Sequence, residues 1–263
     1  LTPHPRLSGQ RRVALLAELG AITLPTGTWR LADRRAVPDL PGFGEGDWWV
    51  QDAASALPAR LLGDVAGLEV ADLCAAPGGK TAQLSAGGAR VTAVDVSSTR
   101  LERLDANLER LGLRADIVAA DILSWEAGRQ FDAVLLDAPC SSTGTMRRHP
   151  DVAWVKTAGD VEDLVALQRD LLLKAMSLVR PGGRLVYSNC SLLKQEGEDL
   201  VAAVVRSNSQ LAIDPAHCDE MAGISGLING QGALRTLPHH LPLHPARLGG
   251  MDGLYACRLA GAL

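Results

Sequence analysis

Two cysteines in this chain stand where a core-filling thiol is not expected. Cys140 lies in Leu136-Asp-Ala-Pro-Cys-Ser-Ser-Thr-Gly144, and Cys190 lies in Val186-Tyr-Ser-Asn-Cys-Ser191. A structural cysteine behaves as a small hydrophobe and sits inside an apolar run; these two sit among Pro, Ser and Asn. The thiolate is the nucleophilic form, and a free thiol of pKa about 8.5 holds only a few per cent of it at neutral pH. Each unit by which a site lowers that pKa favours the thiolate by about 1.4 kcal/mol. Lys80 is a candidate cation for this purpose, and Asp137 is a carboxylate able to hydrogen-bond a substrate edge. Such a set suits covalent catalysis, in which one difficult step is split into easier ones. Spacing alone does not say which cysteine attacks.

A third segment, Asp72-Leu-Cys-Ala-Ala-Pro-Gly-Gly-Lys-Thr81, combines small residues with two glycines that let a ligand approach the backbone. A phosphate-binding P-loop would need Gly at position 74, which is Cys, and the G-x-G-x-x-G dinucleotide fingerprint is absent. Asp95 could accept the ribose hydroxyls of an adenosine-type ligand, or simply cap a helix. Asp121 is equally two-sided and could face an adenine amino group.

The elements that must position these residues are legible in the hydrophobic pattern. Strands are expected at Leu68–Leu73, Ala89–Val94, Ala115–Ala119, Phe131–Leu136, Leu185–Tyr187 and Leu254–Leu259. The helices expected between and around them include one whose stripe is Leu101, Leu104, Leu108 and Leu111, a long one over Val161–Val179 stopped by Arg180-Pro-Gly-Gly183, and one over Gln195–Arg206. This alternation predicts an α/β fold, a mostly parallel, doubly wound sheet covered on both faces. In such a sheet ligands bind beyond the carboxyl ends of the strands, where every polar residue named above falls. Residues 1–46, rich in Pro, Arg and Gly with a helical stretch near Arg11–Leu19, read as an N-terminal appendage and linker. Residues 47–263 read as the catalytic domain.

Composition bounds the function. Hydrophobic residues make up 47% and charged residues 21% of the 263, as in an ordinary globular protein, while 3% aromatics imply an aliphatic core. No apolar run is long enough to span a membrane. The five cysteines are odd in number and form no CxxC or Cys/His cluster, which argues against zinc and for reduced thiols in a cytoplasm. A net charge of −4 argues against a protein that coats nucleic acid nonspecifically. The first residue is Leu rather than Met, so an upstream domain is expected in the gene product.

Taken in order, these motifs resemble the Sun/Fmu/NOL1/NOP2 family of RNA cytosine-C5 methyltransferases, nearest its bacterial 16S ribosomal RNA branch. The resemblance runs from Val50-Gln-Asp52 through the 72–81 and 137–144 segments, Arg147–Pro150, Gln168 and Arg180 to Ser191, to Gly249-Gly-Met-Asp-Gly253. It implies a seven-stranded Rossmann-like sheet and S-adenosyl-L-methionine as methyl donor. The donor would be held by Cys74, Ala75, Ala76, Pro77, Gly78, Gly79, Lys80, Asp95, Asp121 and Asp137. Cys190 would be the nucleophile and Cys140 would assist product release, although DNA cytosine methyltransferases use a Pro-Cys motif like Pro139-Cys140. Lys80 and Asp137 would position and polarise the base. The substrate implied is an unpaired or flipped cytosine in RNA, ribosomal before transfer RNA, with no metal and no membrane; a monomer is expected, although neither the residues nor the resemblance fix the oligomeric state, and a non-catalytic ribosome-assembly module is the alternative. Arg147, Arg148 and His149 are candidate phosphate contacts, with Arg6, Arg11 and Arg12 behind them. Three positions depart from the family pattern: Asn189 stands for Thr, Gly197 for Asn, and Leu254-Tyr255 for two Phe.

Overall fold

A computed structural model describes residues 1–32, 35–209 and 211–261. Its centre is a sheet in which β1 (Glu69–Leu73), β2 (Arg90–Asp95), β3 (Asp116–Ala119), β4 (Phe131–Asp137) and β5 (Val179–Asn189) run parallel in the order β3-β2-β1-β4-β5. Three antiparallel strands extend it: β6 (Leu211–Asp214), β7 (Leu234–Thr236) and β8 (Leu254–Gly261). Strand β8 pairs with β5 on one side; on the other, β7 covers its first half and β6 its second. The sheet is therefore seven positions wide with two short strands sharing one edge. The inner residues of β1 and β4, Val70, Ala71, Leu73 and Ala133–Leu136, are fully buried, as in strands covered on both faces.

Helices follow from local chemistry. In α3 (Ser98–Leu111), Ser97 caps the start and Gly112, in the left-handed region, ends it; the predicted leucine stripe is buried. Thr157 and Asp160 form a capping box on the helix α4 (Ala158–Leu178), whose inward face includes Gln168, Leu171, Leu172 and Ala175. The helix ends before Arg180, and Val179 already pairs with Phe131. The pairing then slips, since Ala133 faces Arg184, so Arg180-Pro-Gly-Gly183 bulges out of β5 instead of preceding it. The last helix of the sheet domain, α5 (Glu198–Ser207), begins three residues later than expected because Lys194–Glu196 forms a separate 3₁₀ turn.

The N-terminal residues pack around Leu15, Leu19, Trp29, Leu40 and Trp48. Thr2–Pro3 pairs with Trp48–Trp49, and the helix α1 (Gly9–Leu19) starts at a Ser8 cap; α2 (Gly79–Ala86) follows β1. Among the described residues no helix is long and apolar enough to cross a membrane, and no three His, Cys, Asp or Glu side chains cluster as a metal site requires.

Candidate active site

Register brings the chemistry together. Leu73 is level with Val94 on one side and Leu136 on the other, and Asp137 is level with Ser188. The chain therefore leaves four neighbouring parallel strands at one rim, with Cys74, Asp95, Asp137 and Ser188 side by side. The Ala138 N–H still bonds the Ser188 carbonyl at 2.8 Å, which carries Pro139-Cys140 alongside Asn189-Cys190. The two sulfurs lie 3.4 Å apart, and all five cysteines are free.

Beyond that pair, Gly144 locks the two loops. Its N–H donates to the Cys190 carbonyl at 2.9 Å and its carbonyl accepts the Gly253 N–H at 2.8 Å. A Cβ at Gly144 would collide with the carbonyl oxygens of Gly253 and Cys190, so only glycine allows this approach.

The two thiols are electrostatically unequal. Cys190 is held below the ordinary thiol range, first by the hydrogen bond from Cys140 and further by Ser142 and the Lys80 ammonium, against its burial and Asp137. Cys140 is held well above it, by the hydrogen bond it gives Cys190, by burial, and by the negative charges of Cys190 and Glu196. Burial pushes Cys74 up as well, with Asp137, Asp95 and Asp72 acting in the same sense. Of the two, Cys190 is therefore the sulfur that gives up its proton more readily.

Lys80, buried at the start of α2, donates to Asp137 Oδ2 at 2.7 Å, and Ser188 Oγ donates to Oδ1 at 2.8 Å. The lysine is raised above its ordinary value: burial, the largest influence, opposes the charge, but Asp137, Asp72 and Cys190 outweigh it. Gly78, at φ 99°, makes the turn into α2, and a Cβ there would stand 2.7 Å from Leu104.

Two cavities meet at Asp137. The first, of about 560 Å³, is lined by Cys74, Ala76, Asp95, Val96, Asp121, Ile122, Asp137, Cys140, Leu167 and Cys190 among others. The second, of about 510 Å³, takes in Phe43, Trp49, Gln51, Asp52, the run Ala75–Lys80, Asp137 and Arg148. Of the expected donor-holding residues, Cys74, Asp95 and Asp121 line the first cavity alone, Ala75, Pro77, Gly78, Gly79 and Lys80 the second alone, and Ala76 and Asp137 both. Asp95 accepts the N–H groups of Ala76 at 3.1 Å and Ser97 at 3.0 Å, and Asp121 accepts Leu123 N–H at 3.0 Å.

Arg148 bonds Asp252 Oδ2 at 2.9 Å through Nε, and Arg147 reaches the Gly249 carbonyl at 3.1 Å; His149 is exposed. Arg6, Arg11 and Arg12 are committed internally, to the Leu111 carbonyl at 3.1 Å, the Asp47 carboxylate at 3.0 Å and the His4 carbonyl at 3.1 Å. Sequence reasoning missed Arg100, which pairs with Asp95 at 3.5 Å across the first cavity, and Ser142, 3.7 Å from the Cys190 sulfur. Ser142 sits in the quoted 137–144 segment and was open to detection; Arg100 reads as one more exposed helix charge.

A wall of four parallel strand ends, a glycine-bearing loop after the first and acids after the next two defines the class of Rossmann-like methyltransferases. The family model for the 16S rRNA methyltransferases RsmB/F matches residues 60–260, and the chain belongs to that family. It is 43% identical over 189 residues to ribosomal RNA small subunit methyltransferase B of Shewanella oneidensis, covering 70% of this chain and 44% of that protein. The corresponding protein of Pectobacterium carotovorum is 40% identical over 227 residues, covering 83% of this chain and 53% of its own length. The chain thus spans about half the length of the curated relatives it matches. Among solved structures, a methyltransferase homologue from Pyrococcus horikoshii superposes with a TM-score of 0.76 at 28% identity, covering 97% of this chain and 83% of the other. NSun6 of the same organism gives 0.73 at 25% identity, covering 90% and 61%.

Proposed function

We propose that this chain is the catalytic part of an enzyme that transfers a methyl group from S-adenosylmethionine to carbon-5 of a cytosine in 16S ribosomal RNA, through a covalent bond between Cys190 and carbon-6. The observation that carries the reading is the free thiol pair 3.4 Å apart, at the rim where two cavities share Asp137.

The residues of the first cavity fit the methyl donor. Its volume of about 560 Å³ is within the roughly 300–1,000 Å³ of small-molecule sites. A carboxylate offers about four lone-pair positions; that of Asp95 left by Ala76, Ser97 and Arg100 can accept a ribose hydroxyl, and Asp121 stands among Val96, Ile122 and Leu167 for an adenine. When bound, the donor supplies an electrophilic methyl group on a sulfonium.

The acceptor base must meet Cys190, which lines the first cavity, and the second cavity brings Lys80, Asp137 and the basic Arg148 up beside it, so the base fits where the two cavities join and the rest of the RNA along the second. Its wall includes Val37 and Phe43 of residues 1–46, which supports an RNA-side role for that appendage. The Cys190 thiolate adds to carbon-6, and the carbon-5–carbon-6 electron pair moves to carbon-5, which takes the methyl group. Asp137, fixed by Lys80 and Ser188, accepts a hydrogen bond from the exocyclic amino group. Once Cys190 is a thioether, the acceptor and charge that held the proton on Cys140 are gone. Cys140 then loses that proton to solvent and takes the one on carbon-5. The pair left behind re-forms the ring double bond, and the Cys190–carbon-6 pair returns to the Cys190 sulfur.

Cys190→Ala is expected to abolish both methyl transfer and the adduct with 5-fluorocytosine RNA, whereas Cys140→Ala leaves protein bound covalently to unmodified 16S transcript. The opposite pattern overturns the assignment. Labelling of transfer RNA in place of the ribosomal transcript reassigns the substrate.

A further inference from the structure

Glu196 is fully buried, and among the described residues no Lys, Arg or His lies within ion-pair distance of it. A carboxylate so placed is tolerable only if hydrogen bonds replace its hydration. Two of its three hydrogen bonds come from Ser141, next to Cys140, and the third from Gln168 of α4. The Ser141 N–H and Gln168 Nε2 donate to Oε1 at 2.8 and 2.9 Å, and the Ser141 hydroxyl donates to Oε2 at 2.5 Å. Gln168 also donates to the Pro139 carbonyl at 2.8 Å, so both neighbours of Cys140 are tied to this carboxylate.

The other thiol is reached through the backbone of the same residue. The Glu196 carbonyl accepts Asn189 Nδ2 and the Tyr187 hydroxyl, each at 2.7 Å. Asn189 Oδ1 in turn accepts the Ser191 N–H at 3.0 Å, which shapes the turn that carries Cys190. Cys190 has a second anchor in Gly144 and does not depend on the carboxylate. The side chain thus governs the Cys140 loop, and its charge faces the thiol that must stay protonated until the first bond has formed.

We infer that Glu196 is a positioning residue that holds the Cys140 loop against Cys190 and so controls breakdown of the covalent RNA adduct, not its formation. This rests on the reading above, in which Cys190 attacks and Cys140 resolves.

The test uses the whole chain, labelled S-adenosylmethionine and an unmodified 16S ribosomal RNA transcript, comparing wild type with Glu196→Gln, Ser141→Ala, Cys140→Ala and Cys190→Ala. Glu196→Gln keeps the volume but removes the charge, and its amide nitrogen makes the Ser141 hydroxyl accept where it now donates. Its turnover is expected to fall by about tenfold and KM for RNA to fall with it, so that kcat/KM stays within about twofold, because a step after methyl transfer is slowed. Denaturing gels should show the Cys190-dependent adduct accumulating, as in Cys140→Ala. Ser141→Ala, which deletes one donor only, should accumulate it to a lesser degree, and it decides the matter if Glu196→Gln fails to fold. Slow turnover without adduct, turnover at the wild-type level, or a Ser141→Ala variant with no accumulation overturns the role of Glu196 while Cys140→Ala still traps RNA. Failure of Cys140→Ala itself to trap RNA overturns the underlying reading instead.

Discussion

The pair Lys80–Asp137 carries an asymmetry that a double-mutant cycle can measure. The lysine side chain is 10% exposed and the aspartate 32%, with 2.7 Å between Nζ and Oδ2. Removing the carboxylate, in Asp137→Asn, strands an ammonium with little access to water, and breaking a buried pair in this way costs about 3–5 kcal/mol. Removing the cation, in Lys80→Met, leaves a carboxylate that reaches solvent and keeps the Ser188 hydroxyl at 2.8 Å; that loss is about 1.5–3 kcal/mol, the value of a hydrogen bond to a charged group. In a domain of this size each kcal/mol moves Tm by about 2–4 °C. Scanning calorimetry should therefore find Asp137→Asn lower by about 6–20 °C and Lys80→Met by about 3–12 °C, at the same scale. The double variant, with neither charge left to compensate, should return to within about 1 kcal/mol of wild type. It should also transfer no methyl group, which separates the role of the pair in stability from its role in the site. A double variant whose loss equals the sum of the singles refutes the coupling, and with it the claim that each charge is there on account of the other.

Two further predictions concern the walls of the site. Burial raises the carboxyl of Asp72 from 3.8 to about 7, against the Thr81 hydroxyl and Lys80. Because the folded value lies above the unfolded one, the native state keeps a proton that the unfolded chain releases. Stability from this group is complete below about pH 4 and falls by about 1.4 kcal/mol per pH unit until about pH 7. Urea midpoints of Asp72→Asn should lack that decline, and parallel profiles for the two proteins contradict it. Gly144→Ala places a methyl group against two backbone carbonyls and should cost about 1–3 kcal/mol while lowering methyl transfer far more than it lowers Tm. An active Gly144→Ala enzyme argues that the loops are not held as tightly as their hydrogen bonds imply.

Most of the sheet was legible because short apolar runs such as Ala133–Leu136 end at a charged or polar residue and alternate with helical patterns, and each expected strand lies within a residue or two of its observed position except β5. There the Pro-Gly-Gly segment reads as a stop, yet backbone pairing resumes beyond it and makes one interrupted strand. Strands β6 and β7 were missed, being three or four residues long and defined only by their pairing with β8. At the site, the thiols could be read because polar residues just after an apolar strand stand out. Glu196 could not: a Glu between Gln195 and Gly197 looks like any solvated turn, and only tertiary structure makes it a buried acceptor.

The three departures from the family pattern show the same limit from the other side. Along the sequence Asn189, Gly197 and Tyr255 are unrelated, but in the fold they touch one neighbourhood. Asn189 is the cross-strand partner of Tyr255 between β5 and β8, and its amide bonds the carbonyl of Glu196, one residue before Gly197. A Cβ at position 197 would stand 2.9 Å from the Tyr255 ring and 2.7 Å from Arg235 Nη2. With Tyr255 and Arg235 so placed, an Asn side chain has no room at 197 unless they move. The ring atoms in the way are ones that a Phe at 255 keeps, so Gly197→Asn is expected to lower Tm in scanning calorimetry with or without Tyr255→Phe, and a Gly197→Asn protein as stable as the wild type shows that the ring and Arg235 give way.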